Sequence, residues 1–360
     1  MKVKNFDKLV ALHLGALYDA ANNNSEKVTP FHRLLLSTPD MDEETIHKFA
    51  TKTLSDKLKP EAITDPAEAS YSSMGFAPFS EEVGNTFALS IPGTKAIVLQ
   101  IEKRERVLPG VSVRNAVVER MKALQAKEID GWTPTRKDWA ELKEDVEANM
   151  LKTAPIRPSK VFVMLSMPYV FVFTGSAKNA EACTAMLRKA VGTFPTESLL
   201  IDEYSLRQFM KDVVIKTYRD YEPDHYVHVK HEDGDDVKVK DIDIGNCTMV
   251  NDLLDNDYTP RALDFSVDTQ TIGIDRVWLR LTDKAIVSGL HIGEADVDAN
   301  YDATLEHYGT DGGLFLSMMA NLFQLDKSLH ALFRSLDETG EIVVEYTATL
   351  ADDLEDDDEV

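Results

Sequence analysis

The sequence predicts an α+β fold made of strand pairs, each followed by a helix, and three observations carry that prediction. The first is the stretch from Ser159 to Thr196. Lys160–Ser166 and Tyr169–Thr174 are apolar, rich in Val and Phe, too short for buried helices and separated by Met167-Pro168. A helix follows, with Ser176 as N-cap, with Ala180, Cys183, Leu187, Ala190 and Val191 at helical spacing, and with Gly192 as its stop. The second is the same grammar in Thr86–Lys127, where FALSI and KAIVLQI flank Pro92-Gly93 and a helical pattern follows at Val113, Val117, Met121 and Leu124. With two copies and little side-chain identity, shared architecture accounts for this better than duplication. The third is composition: 360 residues, 43% hydrophobic and 28% charged, are enough for several lobes with cores of their own.

In chain order, residues 5–15 read as an opening strand, and Leu17–Asn24 as a turn or a frayed helix end. Thr38-Pro39-Asp40 opens a helix with Ile46, Phe49 and Leu54 inward, closing before Lys59-Pro60. Ala62–Ser73 is linker-like, and Met74–Pro78 introduces the first strand pair. After the helix at 112–128, Gly131–Pro134 turns the chain into a second long helix with Trp139, Leu142, Val146 and Met150 on one face. Pro155 and Pro158 end it.

Ser205–Tyr218 is helical by pattern, with Leu206, Phe209, Met210 and Val213 inward. Glu222–Lys240 reads as a hairpin around Gly234 with an acidic tip and so little apolar surface that it is expected to project from the body. Ala262–Phe265, Arg276–Leu281 and Ala285–Ile292 give a further small sheet. A closing helix runs from Leu314 to Phe333, and Ile342–Tyr346 form an edge strand. The expected division is 1–158, including an inserted helical segment at 17–73; 159–265, with its hairpin near 222–243; 266–350; and a disordered acidic tail, 351–360.

No run of eighteen apolar residues exists and the N-terminal stretch lacks a continuous apolar core, which points to a soluble intracellular protein with no membrane partner. Two cysteines, Cys183 and Cys247, make no disulfide framework and are expected to be reduced. The net charge is −23, and without the seven acids that close the chain the rest still carries 55 acids against 39 bases. Nucleic-acid binding therefore requires the bases to be gathered on one face. Candidates are Arg114 and Arg120 on a helix, Arg157, Lys160, Lys178, Arg188 and Lys189 around the central element, and Lys238 and Lys240 on the hairpin. The competing account is that each base is a solvated partner for one of 62 acids.

Signatures for phosphate loops, dinucleotide binding and zinc are absent, so no cofactor or metal is expected. Asp296, Asp298, Asn300 and Asp302 alternate like a calcium loop, but Tyr301 stands where glycine belongs and His307 where the bidentate Glu belongs. His225, His228 and His231 do not face one way in a strand. One nuclease-like set remains: Asp224 and Asp236 could hold Mg²⁺ while Lys238 polarises water, against a solvated hairpin in an Asp-rich chain.

Five blocks in order carry a resemblance: MGFAP; EKRERVLPG leading into a helix; LKEDVEANMLKTA; SAKNAEACTAMLRKAVGTFP; and ALDF followed by DRVWLRLTD. They resemble the recombination-associated RdgC family of bacteria and their phages, over most of Met74–Leu336 and the opening strand. The resemblance implies α+β subunits that pair into a closed ring dimer with a basic hole, bind double-stranded DNA with little sequence preference, and restrain a RecA-type recombinase by occupying its DNA. It also implies a cytoplasmic, nucleoid-associated protein whose positive charge is turned inward. The family's Arg and Phe after the second long helix fall at Pro155-Ile156-Arg157, leaving Arg157 without the aromatic. Its adjacent hairpin lysines followed by Gln correspond to Lys238 and Lys240 without a Gln. Residues 17–73 and the acidic tail have no clear counterpart. Three readings result: a DNA-encircling, sequence-neutral regulator of recombination; an Mg-dependent exonuclease, a label the family has carried; or an acidic protein that binds the recombinase directly.

Overall fold

β1 (Lys8–His13) leads directly into helices, because Leu14 and Leu17 are apolar and turn inward one after the other. The computed structural model describes residues 8–79, 85–91, 93–127, 133–198, 203–271, 274–284 and 286–292, together with Asp326 and Leu329. α1 (Gly15–Asn22) occupies the stretch expected as a turn or a frayed helix end, its asparagines forming only the last part and the exit. α2 (Pro30–Leu36) starts at a Thr29 capping box closed by His32. α3 (Glu43–Lys48) is capped by Asp42, which accepts from the Thr45 N–H at 2.7 Å, and continues through a π-helical stretch at Phe49–Leu54 into α4 (Ser55–Leu58). Ile46, Phe49 and Leu54 are buried as expected.

β2 (Ser72–Ala77), β3 (Ala88–Ser90) and β4 (Ile97–Arg106) follow, so the MGFA stretch is itself a strand. Then come α5 (Gly110–Gln125), α6 (Arg136–Thr153), β5 (Ile156–Ser166), β6 (Tyr169–Val172) and α7 (Ala177–Val191). α7 begins at Ser176, which accepts from the Asn179 N–H, and stops at Gly192, whose φ of +91° a side chain would strain. β7 (Glu197–Ser198), α8 (Glu203–Val214), β8 (Tyr221–Lys230), β9 (Asp236–Lys240), α9 (Thr248–Asp255), β10 (Thr259–Thr271), β11 (Ile274–Thr282) and β12 (Ile286–Ile292) complete the described chain.

The chain divides into two compact units. Unit 1 draws on Met1–Pro60, Pro78–Gln100 and Val161–Val360, and unit 2 on Glu61–Ala77 and Ile101–Lys160. In unit 1 the strand order is β4-β5-β6-β1-β12-β11-β10-β8-β9, with β3 on β4 and β7 on β1. β5 and β6 pair antiparallel from Val163↔Val172 to Ser166↔Tyr169, as their sequences predict. β1 lies between β6 and β12, antiparallel to both. The strands expected as a separate small sheet therefore join the main one, because β12 offers Val287 and its neighbours to the N-terminal strand.

The hairpin expectation is corrected in the same way. β8 pairs with β9 on one side and with β10 on the other, and Val227, Val229 and Val239 belong to the main core. Alternate valines suffice to bury one side of a strand, so the hairpin is a sheet margin and not a projection. α8 covers that side of the sheet with Leu206, Phe209, Met210 and Val213, all buried, and Phe209 meets Tyr221 and Phe265 edge-on.

Unit 2 holds β2, the parts of β4 and β5 that belong to it, α5 and α6. Val113 and Val117 of α5 pack on Val146 of α6, with Leu142 and Met150 at the margin. Leu124 and Trp139, expected inward, are 42% and 37% exposed. The calcium-like run at Asp296–Asp302, the closing helix apart from buried Asp326 and Leu329, the strand at Ile342–Tyr346 and the acidic tail lie outside the described residues.

Candidate nucleic-acid interface

The expected cationic residues fall into two sets, one in each unit. In unit 2, Arg114 and Arg120 lie on the polar face of α5 and Arg157 and Lys160 on the leading part of β5, all exposed. Helical periodicity explains the first pair, since Val113 and Val117 point to the core and their neighbours must face solvent. In unit 1, Lys178, Arg188 and Lys189 are exposed on α7, opposite Ala180, Cys183 and Leu187. Lys238 and Lys240 alternate on β9 with the core residue Val239 and are exposed. Among the described residues no carboxylate lies within ion-pair distance of Lys238 or Lys240, and the Lys240 Nζ stands over the Tyr226 ring, 5.9 Å from its centre.

Other bases prove structural. Arg104 is held by Glu102 at 2.7 Å and Asp65 at 2.6 Å, which raises its pKa, chiefly through the Glu102 hydrogen bond. Arg106 donates to the Leu151 carbonyl at 3.0 Å and the Pro66 carbonyl at 2.9 Å, closing the end of α6 where carbonyls lack helical partners. The strand ending KRER is thus a set of internal ties.

Two cations that sequence reasoning passed over stand on β11. Arg280 makes a two-pronged contact with Asp264, Nη2 to Oδ2 at 2.7 Å, and its guanidinium carbon lies 3.7 Å from the centre of the Tyr226 ring. The Asp264 hydrogen bond raises the Arg280 pKa. Arg276 is paired with Glu222 across the sheet, and that hydrogen bond holds the Glu222 carboxyl below the usual range. The signal was present in the alternation RVWLRL, which places Arg276, Trp278 and Arg280 on one side of a strand.

The nuclease set is not brought together. β8 and β9 pair with Lys230 opposite Asp236, so Asp236 stands six β8 positions from Asp224, about 20 Å at 3.3–3.4 Å per residue. Asp236 instead accepts from His228, and Asp224 has His225 Nε2 at 3.4 Å. Lys238 faces His228. His231 stands against Asp233 and Tyr258, so the three histidines have three different neighbourhoods. Among the described residues no cluster of three or more His, Cys, Asp or Glu could hold a metal. No helix among them is long and apolar enough to cross a membrane.

A family model described as "Putative exonuclease, RdgC" matches residues 42–334. Among curated relatives, a protein named "Recombination-associated protein RdgC" from Pseudomonas aeruginosa is 31% identical over 106 residues, 29% of this chain and 34% of its own. Its namesakes from Aeromonas hydrophila and Shewanella frigidimarina are 28% identical over 150 residues and 26% over 147, covering 41% and 40% of this chain and 48% and 47% of theirs. The matched region thus spans about a third to a half of the length of these relatives.

Proposed function

The chain belongs to the RdgC family, and from that premise we propose that it is a sequence-neutral binder of double-stranded DNA that acts in recombination. In this reading two subunits close a ring around the duplex and restrain a RecA-type recombinase by occupying its substrate, as a nucleoid-associated protein. The observation that carries it is the family match over 42–334 with relatives named for recombination. The exposed cations of α5, β5, α7 and β9 supply phosphate contacts in a chain whose net charge is −23, provided they face one lumen.

The test is duplex binding titrated against salt, with mass in solution recorded on the same sample. Neutralising six to ten phosphates should cost about 10³–10⁵ in affinity between 50 and 200 mM salt. A dimer mass that persists on DNA supports encirclement, and a slope of log K against log salt near zero ends the proposal. Negligible duplex affinity at low salt would favour the acidic protein that binds recombinase directly. The description of the family model as an exonuclease favours one further reading, phosphodiester hydrolysis with Mg²⁺. An end-labelled duplex left intact with Mg²⁺ or Mn²⁺ excludes it; cleavage lost in Asp236→Ala with binding retained supports it.

A further inference from the structure

β9 stands at the end of the strand order of unit 1, with β8 as its neighbour among the described residues. Val239 is buried and Val237 packs against the same core, so Lys238 and Lys240 share the opposite side of the strand, both exposed and about 6.4–6.8 Å apart along it. Bases elsewhere in the described chain find acids: Lys48 pairs with Glu44 at 2.6 Å, Lys143 with Glu147 at 3.6 Å, Arg276 with Glu222 and Arg280 with Asp264. The chain carries 62 acids against 39 bases, yet none of the described acids comes within ion-pair distance of either lysine of β9.

The acids with no base of their own are concentrated in one place. The segment 352–360, DDLEDDDEV, holds seven acids and no base, and it lies outside the described residues. Like charges this close repel one another and are relieved by any cation within reach. In extended backbone Asp356 and Asp358 are separated by the same two residues as Lys238 and Lys240, so two carboxylates meet two ammonium groups at matching intervals. Reach allows the contact. Ser166 at the end of β5 donates to Asp326, and Leu329, 1% exposed, belongs to the same core cluster as Val239, which fixes this part of the chain to the sheet. Seven strand spacings separate β5 from β9, about 33–34 Å at 4.7–4.9 Å each. The 23 residues from Leu329 to Asp352 span at most about 76–83 Å, more than twice that width.

We propose that the acidic segment 352–360 of this chain lies along β9 and pairs with Lys238 and Lys240, so that a phosphate reaches those lysines only by displacing it. The contact itself is independent of the nucleic-acid reading above, and its consequence for DNA rests on that reading. Exposed ion pairs are weak between separate molecules, but a tethered partner acts at an effective concentration of order millimolar, which suffices to hold it. A segment that only added to the net charge would repel DNA over the whole surface, with no preference for these two lysines.

The contact is tested without DNA. A water-soluble carbodiimide joins a carboxylate to an amine it touches, with loss of water; in the full-length protein at 50 mM salt it should link Lys238 or Lys240 to an acid of 352–360. At 0.5 M salt, where the screening length is about 4 Å, the yield should fall. Heavy-isotope-labelled and unlabelled protein, mixed in urea and refolded together, identify the copy: links within one isotope are expected. Mixed-isotope links would place the segment on another copy and overturn the proposal, as would its linkage to other lysines alone or to none. For DNA, a full-length variant with the five aspartates of the segment changed to asparagine and its two glutamates to glutamine should bind duplex about 2- to 30-fold more tightly at 50 mM salt, the span of two exposed ion pairs. The gain should disappear when Lys238→Ala and Lys240→Ala are also present. An equal gain with and without the lysines reports net charge alone and overturns the proposal. Duplex binding with no cross-link refutes this contact and leaves the proposed function standing; cross-links with no duplex binding refute that function and leave the contact.

Discussion

His32 shows how one side chain can be committed by its surroundings. It is 1% exposed, and its Nδ1 accepts from the Thr29 N–H at 3.0 Å to complete the cap of α2. Burial lowers its pKa below the ordinary 6.5, an effect that the Thr193 and Val191 carbonyls partly offset. The unfolded chain therefore takes up a proton near pH 6.5 while the folded chain does not, and stability falls as pH drops below that value. Denaturant midpoints from pH 8 to 5 should decline, and His32→Gln should flatten the decline; an unchanged profile in the variant would contradict this. Cys183 is governed by the same physics. Burial pushes its thiol up to about 12, so in the native protein only the half-buried Cys247 should react promptly with iodoacetamide at pH 8, and both should react in urea. The cysteine was readable as a buried apolar residue from its place on the α7 pattern. The histidine was not, because nothing in FHRLL announces that a cap will close over it.

Elements were readable where their signals were local. β5, β6 and α7 follow from two valine-rich runs, a serine cap and a terminating glycine, all within about forty residues of sequence. β8 was misplaced because its burial depends on β10, which arrives a helix later and pairs with it from Thr259↔Lys230 to Val267↔Tyr221. α1 was read no further than a turn or a frayed helix end because its asparagines weigh against a helix locally, while Leu17, Tyr18 and Ala21 find buried places. α8 was correctly read from its apolar stripe, and its load is concentrated in Phe209, 1% exposed and in ring contact with Tyr218, Tyr221 and Phe265. Phe209→Ala should cost about 3–5 kcal/mol in chemical unfolding, with the cavity left unfilled. A cost below about 1 kcal/mol would mean that α8 contributes little to the cover of the sheet. At the candidate interface, the exposed cations were readable as the polar complement of the helical and strand patterns. Those that serve as ties, Arg104 and Arg106, were not separable from the rest without their partners.

For the whole molecule the governing quantity is a charge of −23 distributed unevenly. On the β8–β12 side two carboxylates are neutralised by arginines, Asp264 by Arg280 and Glu222 by Arg276. The exposed ammonium groups of Lys238 and Lys240 should each account for about one released counterion on meeting a phosphate. Lys238→Ala with Lys240→Ala should reduce the salt slope for duplex by about 2 while leaving sequence preference unchanged. An unaltered slope would show that β9 lies away from the DNA. The family itself was legible from five short blocks, since their order survives where overall identity is low.

The seat of β1 between β6 and β12 also sets a timetable for the nascent chain. Its second neighbour emerges from the ribosome roughly 280 residues after it does, about 14–56 s later at 5–20 residues per second. Throughout that interval the Lys8–Val10 part of that margin stays open, β7 covering only Leu12 and His13, a standing invitation to mispairing that a cell must manage with chaperones or by keeping the strand sequestered. Messages truncated before Ile286 would never close it, and their products should reach inclusion bodies instead of the soluble fraction.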